Sequence, residues 1–382
     1  AALLIIHVGV RIWLISERSQ LTHDEAISFL QAAGKASAYA RVIGEKTYPY
    51  GVVVPVKTWA AFLEADRFWV FGKIREGLQT SDIHPPLYFY LLHVWMYVFG
   101  TGLRQALLLN VLISIFSLFV LVRLVTRLSG SKRWGIVAGL LWSLNPAILE
   151  SCLTARQYEL ANALLLFVVA GVLQTFFSES RRPSLFPTLA GISGLMLTLY
   201  MGWLWIAVLL LISIVFIPRD WRAEGIRRLA LPFIAGAVIA ILSNPGFAAG
   251  MAKGSSYAPI WQTVPFARRA RLYVNSVAEL FWLPLEHETV ANYLAQAQYY
   301  LIKISQITSF PTALAIGLLA LVAGIIGLVS FVSKKPIANE KKAALRLLIV
   351  LAGSLYAVHS AAYLSAMMPD WSMDGRYTSY LA

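Results

Sequence analysis

Long apolar runs separated by short polar loops dominate the sequence. Runs of about 17–25 apolar residues are typical of transmembrane helices. Because such runs recur along the whole chain, we predict an all-α, polytopic transmembrane helical bundle with about ten or more spanning helices. The apolar runs lie near residues 1–16, 103–123, 134–149, 157–177, 187–200, 203–217, 229–244, 311–333 and 344–366, and a further run begins near 376.

Residues 87–99 differ from these runs because they are short and aromatic. They offer only about 13 residues, fewer than a span needs, and His93 interrupts them. Aromatic side chains favour the boundary between acyl chains and headgroups. We therefore predict a helix that lies on the membrane surface.

The basic residues indicate the orientation of the bundle. If residues 87–99 do not span, the basic loops share one side, which the positive-inside rule places in the cytoplasm. The N-terminus then starts inside, and residues 17–102 and 245–310 form two long external loops with juxtamembrane helices. The basic loops contain Arg123, Arg127, Lys132, Arg133, Arg181, Arg182, Arg219, Arg222, Arg227, Arg228, Lys334, Lys335, Lys341, Lys342 and Arg346. The short external turns are 150–157, 200–203 and 367–376.

Composition supports this class of protein and excludes others. The chain has 382 residues, of which 58% are hydrophobic and 13% charged, and its mean hydropathy of +0.67 is too high for a soluble domain. The net charge of +13 is spread over short loops, so we expect no nucleic acid partner. Cys152 stands alone, which excludes an internal disulfide. Residues 1–382 form one transmembrane domain, and we expect both termini to be truncated, with the first run an anchor helix.

An acidic pair, Asp24 and Glu25, follows the first apolar run. Thr22 and Glu25 have the spacing of a capping box, which accounts for Glu25 but not for Asp24. An acid at the membrane surface can act as a general base, bind an acceptor or hold a divalent metal such as Mg or Mn. We predict that Asp24 and Glu25 are catalytic, with Asp24 also a candidate metal ligand.

A second constellation precedes the surface helix and contains Asp82, His84, Pro85 and Pro86. The prolines are typical of a helix start, and an acid near the cap needs no further explanation. A helix start does not require a histidine, however, and His84 can donate to a phosphate or to a substrate hydroxyl. We predict His84 at a phosphate and Asp82 in an acceptor or sugar pocket.

Arginine and tyrosine open two later helices from the predicted external side. They are Arg156 with Tyr158, and Arg376 with Tyr377. A snorkelling arginine beside a belt tyrosine is the structural alternative. A guanidinium fork also suits phosphate oxygens, so we predict these four residues at a donor phosphate.

The remaining polar features have plainer interpretations. In the second external loop Trp282 is a candidate for the acceptor or sugar pocket, although loop cores also use aromatic side chains. The turn Glu286–Glu288 is predicted to be solvated, and Asn162 and His359 are predicted to make hydrogen bonds between helices.

The order of these motifs resembles the C-type membrane glycosyltransferases (GT-C fold). The motifs are an acidic pair after the first span, His-Pro-Pro-Leu-Tyr before an aromatic helix ending in Phe-Gly, Ala-Arg-Gln-Tyr, and a late Arg-Tyr. The most similar branch is the protein O-mannosyltransferase-like and aminoarabinose-transferase-like one. Residues 1–382 depart from it in two respects: we expect no large soluble C-terminal domain within them, which truncation would explain, and His84 stands where the aminoarabinose transferases have lysine.

The resemblance implies an inverting transfer of a sugar from a polyprenyl-phosphate donor to a hydroxyl of a glycan, lipid or protein. It implies that Asp24 is the base or the metal and acceptor ligand, that Glu25 is its partner, and that Arg156 and Arg376 lie near the lipid phosphate. It also implies a bacterial plasma (inner) membrane, with the active site among membrane lipids and facing the periplasm or cell exterior.

Two other functions fit parts of the pattern. A transporter or flippase of lipid-linked glycans would carry its polar residues near mid-membrane, usually with repeat symmetry, and the sequence shows no internal repeat. An oligosaccharide transferase that uses a polyprenyl-diphosphate donor is the alternative among enzymes.

Overall fold

The computed structural model describes residues 1–45, 55–82, 84–177, 186–203, 205–207, 209–210 and 222–255. These parts of the chain are helical and contain no strand, in agreement with the all-α prediction. The helices are α1 Ala2–Glu17, α2 His23–Ala32, α3 Ala36–Gly44, α4 Val56–Ala60, α5 Phe71–Ser81, α6 Leu87–Phe99, α7 Leu103–Ser129, α8 Lys132–Leu144, α9 Pro146–Cys152, α10 Tyr158–Phe177, α11 Phe186–Met196, α12 Arg222–Ser243 and α13 Phe247–Ser255.

Several predictions fall on residues outside the described ranges. They concern the apolar runs 311–333 and 344–366, the run from 376, and most of the second external loop. The candidate residues concerned are Trp282, Glu286, His287, Glu288, His359, Arg376 and Tyr377.

Among the described helices, α7 and the part of α12 from Ile226 to Ser243 are long and apolar enough to cross a membrane. Only 28% of the residues in the most apolar part of α12 are buried, which a core helix of a soluble protein would not allow. The exposed side chains form a stripe at helical spacing, which is the surface that lipid would cover. They are Leu231, Ile234, Val238 and Leu242.

The predicted run 134–149 is two helices, which corrects the prediction of a single span. The backbone of Asn145 is extended, and its side-chain oxygen accepts from the N–H groups of Ala147 and Ile148 at 3.0 and 3.3 Å. Pro146 then occupies the first turn of α9, a position that favours proline. With 13 residues, α8 is about 20 Å long and shorter than the roughly 30 Å hydrocarbon layer.

The short helices α2–α6 lie in the region predicted as the first external loop. Helix α6 has 13 residues, the length expected of a surface helix. Its residues Tyr88, Phe89 and Leu92 are completely buried in one core with side chains of α1, α2, α5 and α7. A second core joins α10, α11 and α12. The first core therefore fixes α6 against α1, α2, α5 and α7.

Buried polar side chains tie the helices together inside the bundle. His7 of α1 contacts the hydroxyls of Ser114 and Ser143 at 3.0 and 2.8 Å, and Arg11 donates to the Ser143 carbonyl at 3.0 Å. The amide of Asn162 donates to Ser151 at 3.1 Å, so the predicted hydrogen bond between helices is confirmed. Such bonds specify which helices pair in an apolar medium.

Helices α10 and α11 approach closely at glycines. A Cβ atom at Gly171 would lie 2.9 Å from the Thr188 nitrogen and 3.1 Å from its Cα. A Cβ atom at Gly191 would lie 3.0 Å from the Val168 nitrogen. Because these neighbours are backbone atoms, they cannot rotate away.

We predict that Gly171→Ala destabilises the protein by about 1–3 kcal/mol, because the added methyl group pushes α10 and α11 apart. Gly9→Ala is the matched control, since no atom lies within 4 Å of the place that its methyl group would take on α1. We expect the control to be neutral or stabilising by up to about 1 kcal/mol, owing to the helix propensity of alanine. Thermal unfolding of the solubilised protein measures both, and equal Tm values would contradict the prediction.

Candidate functional site

The Thr22–Glu25 capping box predicted from the sequence is present at the start of α2. The Thr22 hydroxyl accepts from the Glu25 N–H at 3.3 Å, and the Glu25 carboxylate accepts from the Thr22 N–H at 2.8 Å. This accounts for the local conformation that directs Asp24 and Glu25 to different sides of the helix.

Glu25 also joins three separate parts of the chain. Its side chain is fully buried, and one carboxylate oxygen forms an ion pair with Arg18 at 2.6 Å. The other oxygen accepts from the Ala155 N–H at 3.1 Å. Both oxygens are therefore engaged in holding the structure, which favours an anchoring role for Glu25. Its catalytic role stays a prediction.

Arg18 belongs to this site although it was not predicted from the sequence. Besides its ion pair with Glu25, it donates to the carbonyl of Leu153 at 3.0 Å. A basic residue directly after the first span was the available signal, but it is equally typical of an exposed membrane anchor.

Arg156 lies beside the face of α2 that carries Asp24. Its side chain is buried, with 4% exposure, and its Nη1 donates to the Ser28 hydroxyl at 3.4 Å. That hydroxyl donates to the Asp24 carbonyl at 3.2 Å. Residues four apart share one helix face, so the guanidinium lies about one helical turn from the partly buried Asp24. The structure thus brings Arg156 to α2 at Ser28, 128 positions away in the sequence.

Tyr88 joins α6 to α7 in this region. It is fully buried, and its hydroxyl donates to Asn110 of α7 at 3.3 Å. Burial raises the pKa of the Tyr88 phenol, the Glu25 carboxylate raises it further, and Arg156 opposes this rise. The phenol therefore lies in the electrostatic field of both groups as a neutral donor.

Asp82 and His84 form a pair at the start of α6. The Nδ1 atom of His84 donates to the Asp82 carboxylate at 2.6 Å, and both side chains are largely buried. The N–H of Leu87 donates to the carbonyl of Leu197 at 2.9 Å, which ties this helix start to the turn after α11. His84 is four residues before Tyr88 in the chain, so the pair lies at the end of α6 that carries Tyr88.

Tyr158 and Arg104, which both stand at helix starts, have the following positions. Tyr158 is buried in the first position of α10, two residues after Arg156. Arg104 donates to the carbonyl of Ser16 at 3.0 Å, which joins the start of α7 to the end of α1. No three His, Cys, Asp or Glu side chains come together to hold a metal ion within the described residues, so a metal at Asp24 stays a prediction.

No protein-family model and no curated protein sequence matches the chain. Among solved structures it is similar to ArnT from Cupriavidus metallidurans bound to undecaprenyl phosphate, with a TM-score of 0.43 and 13% sequence identity. The match covers 100% of this chain and 75% of that chain. Both the TM-score and the identity are low.

We predict that Glu25→Gln costs about 3–5 kcal/mol of stability, because it leaves Arg18 without its ionic partner at a site with only 11% exposure. Asp66→Asn is the matched control, since Asp66 pairs with Lys35 at 3.1 Å but is 56% exposed. An exposed pair contributes about 0–1 kcal/mol. Unfolding midpoints of the two variants within measurement error of each other would contradict the anchoring role of Glu25.

Proposed function

We propose that the protein is an inverting, GT-C-type membrane glycosyltransferase. It would move a sugar from a polyprenyl-phosphate donor to a hydroxyl acceptor at the external face of the membrane. Sugar and acceptor identity are left open, and glycan, lipid and protein hydroxyls all suit the chemistry. The proposal rests on the residues of this chain and on the resemblance of its motifs to that family.

The observation that carries the proposal is the position of Arg156 beside the Asp24 face of α2. A buried guanidinium is costly in an apolar protein, and such residues usually serve a ligand or a buried charge. Because its hydrogen-bond partner Ser28 is one turn after Asp24 on α2, we take the guanidinium and the Asp24 carboxylate as the two groups of one site. An anionic leaving group and a hydroxyl nucleophile need these two groups.

The reaction assigns a role to each of them. The acceptor oxygen attacks the anomeric carbon on the side opposite the phosphate, which inverts that centre. Asp24 takes the hydroxyl proton as the new C–O bond forms. The bond to the phosphate oxygen breaks, and Arg156 stabilises the negative charge that develops on the departing polyprenyl phosphate. One carboxylate suffices, because a phosphate whose charge is stabilised leaves without the general acid that the second carboxylate supplies in an inverting glycosidase.

The remaining predicted residues take supporting roles. His84, oriented by Asp82, is proposed to donate to the phosphate or to a sugar hydroxyl, and Tyr158 lies beside Arg156 in sequence. Arg376, Tyr377 and Trp282 are proposed as further phosphate and sugar contacts on the sequence pattern alone. Mg or Mn at Asp24 would bind the acceptor or the phosphate.

An apolar cavity offers room for part of a polyprenyl chain. It has a volume of about 350 Å³ and lies between α7, α10 and α11. Its lining residue Ile113 is three residues after Asn110 on α7, and Leu160 is four residues after Arg156 in the chain, so we propose that the cavity holds the part of the polyprenyl chain nearest the phosphate. The lining residues are Leu112, Ile113, Phe116, Leu160, Ala163, Leu164, Phe167 and Ala190.

We predict that purified protein transfers labelled sugar from a polyprenyl-phosphate donor, and that Asp24→Asn lowers kcat by about 10²–10⁴-fold through loss of the base. Arg156→Lys should lower kcat/KM by about 10²-fold or more, because an ammonium group cannot replace the guanidinium fork. The controls are Asp66→Asn, an exposed acid of the same loop, and Arg127→Gln at the opposite end of α7. An EDTA arm tests the metal.

The outcomes separate the proposed function from its rivals. If the Asp24→Asn variant keeps its activity, Asp24 is not the catalytic base and contributes only to the start of α2. If the protein binds the lipid and moves it across vesicle membranes but cleaves no donor, it is a transporter instead. Turnover of diphosphate donors alone would establish the oligosaccharide transferase.

A further inference from the structure

The loop between α9 and α10, which carries Arg156, is held by side chains of other elements. The carbonyls of Cys152 and Thr154 accept from the Asn110 amide at 3.2 and 2.6 Å. Between them, the Leu153 carbonyl accepts from Arg18, and the next N–H, that of Ala155, donates to Glu25. Backbone groups that leave a helix inside an apolar protein need such partners, because no water replaces them.

Asn110 supplies two of these hydrogen bonds. It is fully buried in α7, and its NH₂ group serves two carbonyls that lie on either side of one residue. Its oxygen accepts from Tyr88 of α6. A side-chain amide has two donor hydrogens and one acceptor oxygen, and here both ends are used. Aspartate would keep the acceptor and lose the donors.

We propose that Asn110 is a positioning residue for the transfer reaction: its two hydrogen bonds fix the loop that presents Arg156 to the donor phosphate. The inference rests on the proposed function, because Asn110 acts through Arg156 and touches no substrate itself. Loss of the two donors frees the Cys152 and Thr154 carbonyls, and the loop then shifts to find other partners. Displacement of a reacting or binding group by about 1 Å can cost about 10²-fold in rate.

The first test measures the binding of polyprenyl phosphate that carries no sugar to the protein in detergent micelles. We expect Asn110→Ala to weaken binding about tenfold or more. Asn162→Ala is the matched control, because it removes another buried amide, one that donates to the Ser151 hydroxyl of α9 and not to the loop carbonyls. It should change affinity less than threefold at a comparable loss of Tm. Equal affinities of the two variants would overturn the proposal.

A double-mutant cycle tests whether Asn110 acts through Arg156. In the Arg156→Gln background, Asn110→Ala should change affinity less than threefold, because the group that it positions is gone. If Asn110→Ala weakens binding as much in that background as in the wild type, Asn110 does not act through Arg156 and the proposal is overturned. Should Asn110→Ala fail to fold, Asn110→Ser, which keeps one hydroxyl donor, takes its place in the cycle.

Two further variants separate the two ends of the amide. Tyr88→Phe removes only the bond to the Asn110 oxygen and should leave affinity within threefold of the wild type. Asn110→Asp keeps that bond and loses both loop bonds, so it should weaken binding as Asn110→Ala does. The reverse order would assign the effect to α6 and overturn the proposal.

Cys152 reports on the loop without any ligand. It is the single cysteine of the chain and is fully buried, and burial raises the pKa of its thiol to about 12. Maleimide should therefore label the folded wild type and Asn162→Ala slowly, and Asn110→Ala at least tenfold faster. If the wild type binds no polyprenyl phosphate, the proposed function fails. The labelling rate still decides whether Asn110 holds the loop, and equal rates overturn that role.

Discussion

The contacts of the buried Glu25 carboxylate are the interactions on which the end of the bundle that carries α2 depends. The carboxylate caps α2, neutralises Arg18 at the end of α1, and accepts the Ala155 N–H from the loop before α10. A charge placed in so apolar a surrounding is tolerated only where its partners satisfy it completely. Three segments distant in sequence must therefore meet at one point, and the geometry of the candidate site follows from that meeting.

The neighbouring acids Asp24 and Glu25 show how one helix start can serve both structure and chemistry. Consecutive helical residues point about 100° apart, so Glu25 is buried while Asp24 stays partly exposed. The anchoring of Glu25 holds Asp24 in place. A catalytic carboxylate gains from such a support, because its position relative to a phosphate then depends on helices and not on a loose loop.

Local sequence signals predicted much of the fold and part of the site. The capping box at Thr22 involves residues three apart, so its spacing could be read directly. The apolar runs located α7 and α12, and the short aromatic run located α6. The break between α8 and α9 was missed, although Asn145 and Pro146 are its local signals, because the apolar run continues through them and hydropathy alone does not register a change of backbone direction.

The sequence by itself determined where long apolar helices such as α1, α7 and α10 and the aromatic α6 begin, and it predicted that acids and arginines gather at helix ends on one side. Only the tertiary structure decided which of these groups meet. Asn110 and Cys152 are 42 positions apart, and Glu25 and Ala155 are 130 apart. A buried asparagine in an apolar run predicts some hydrogen bond between helices, but its partners are carbonyls whose positions depend on how several helices pack. That packing is a collective property of side-chain shape and burial, and no single stretch of sequence contains it.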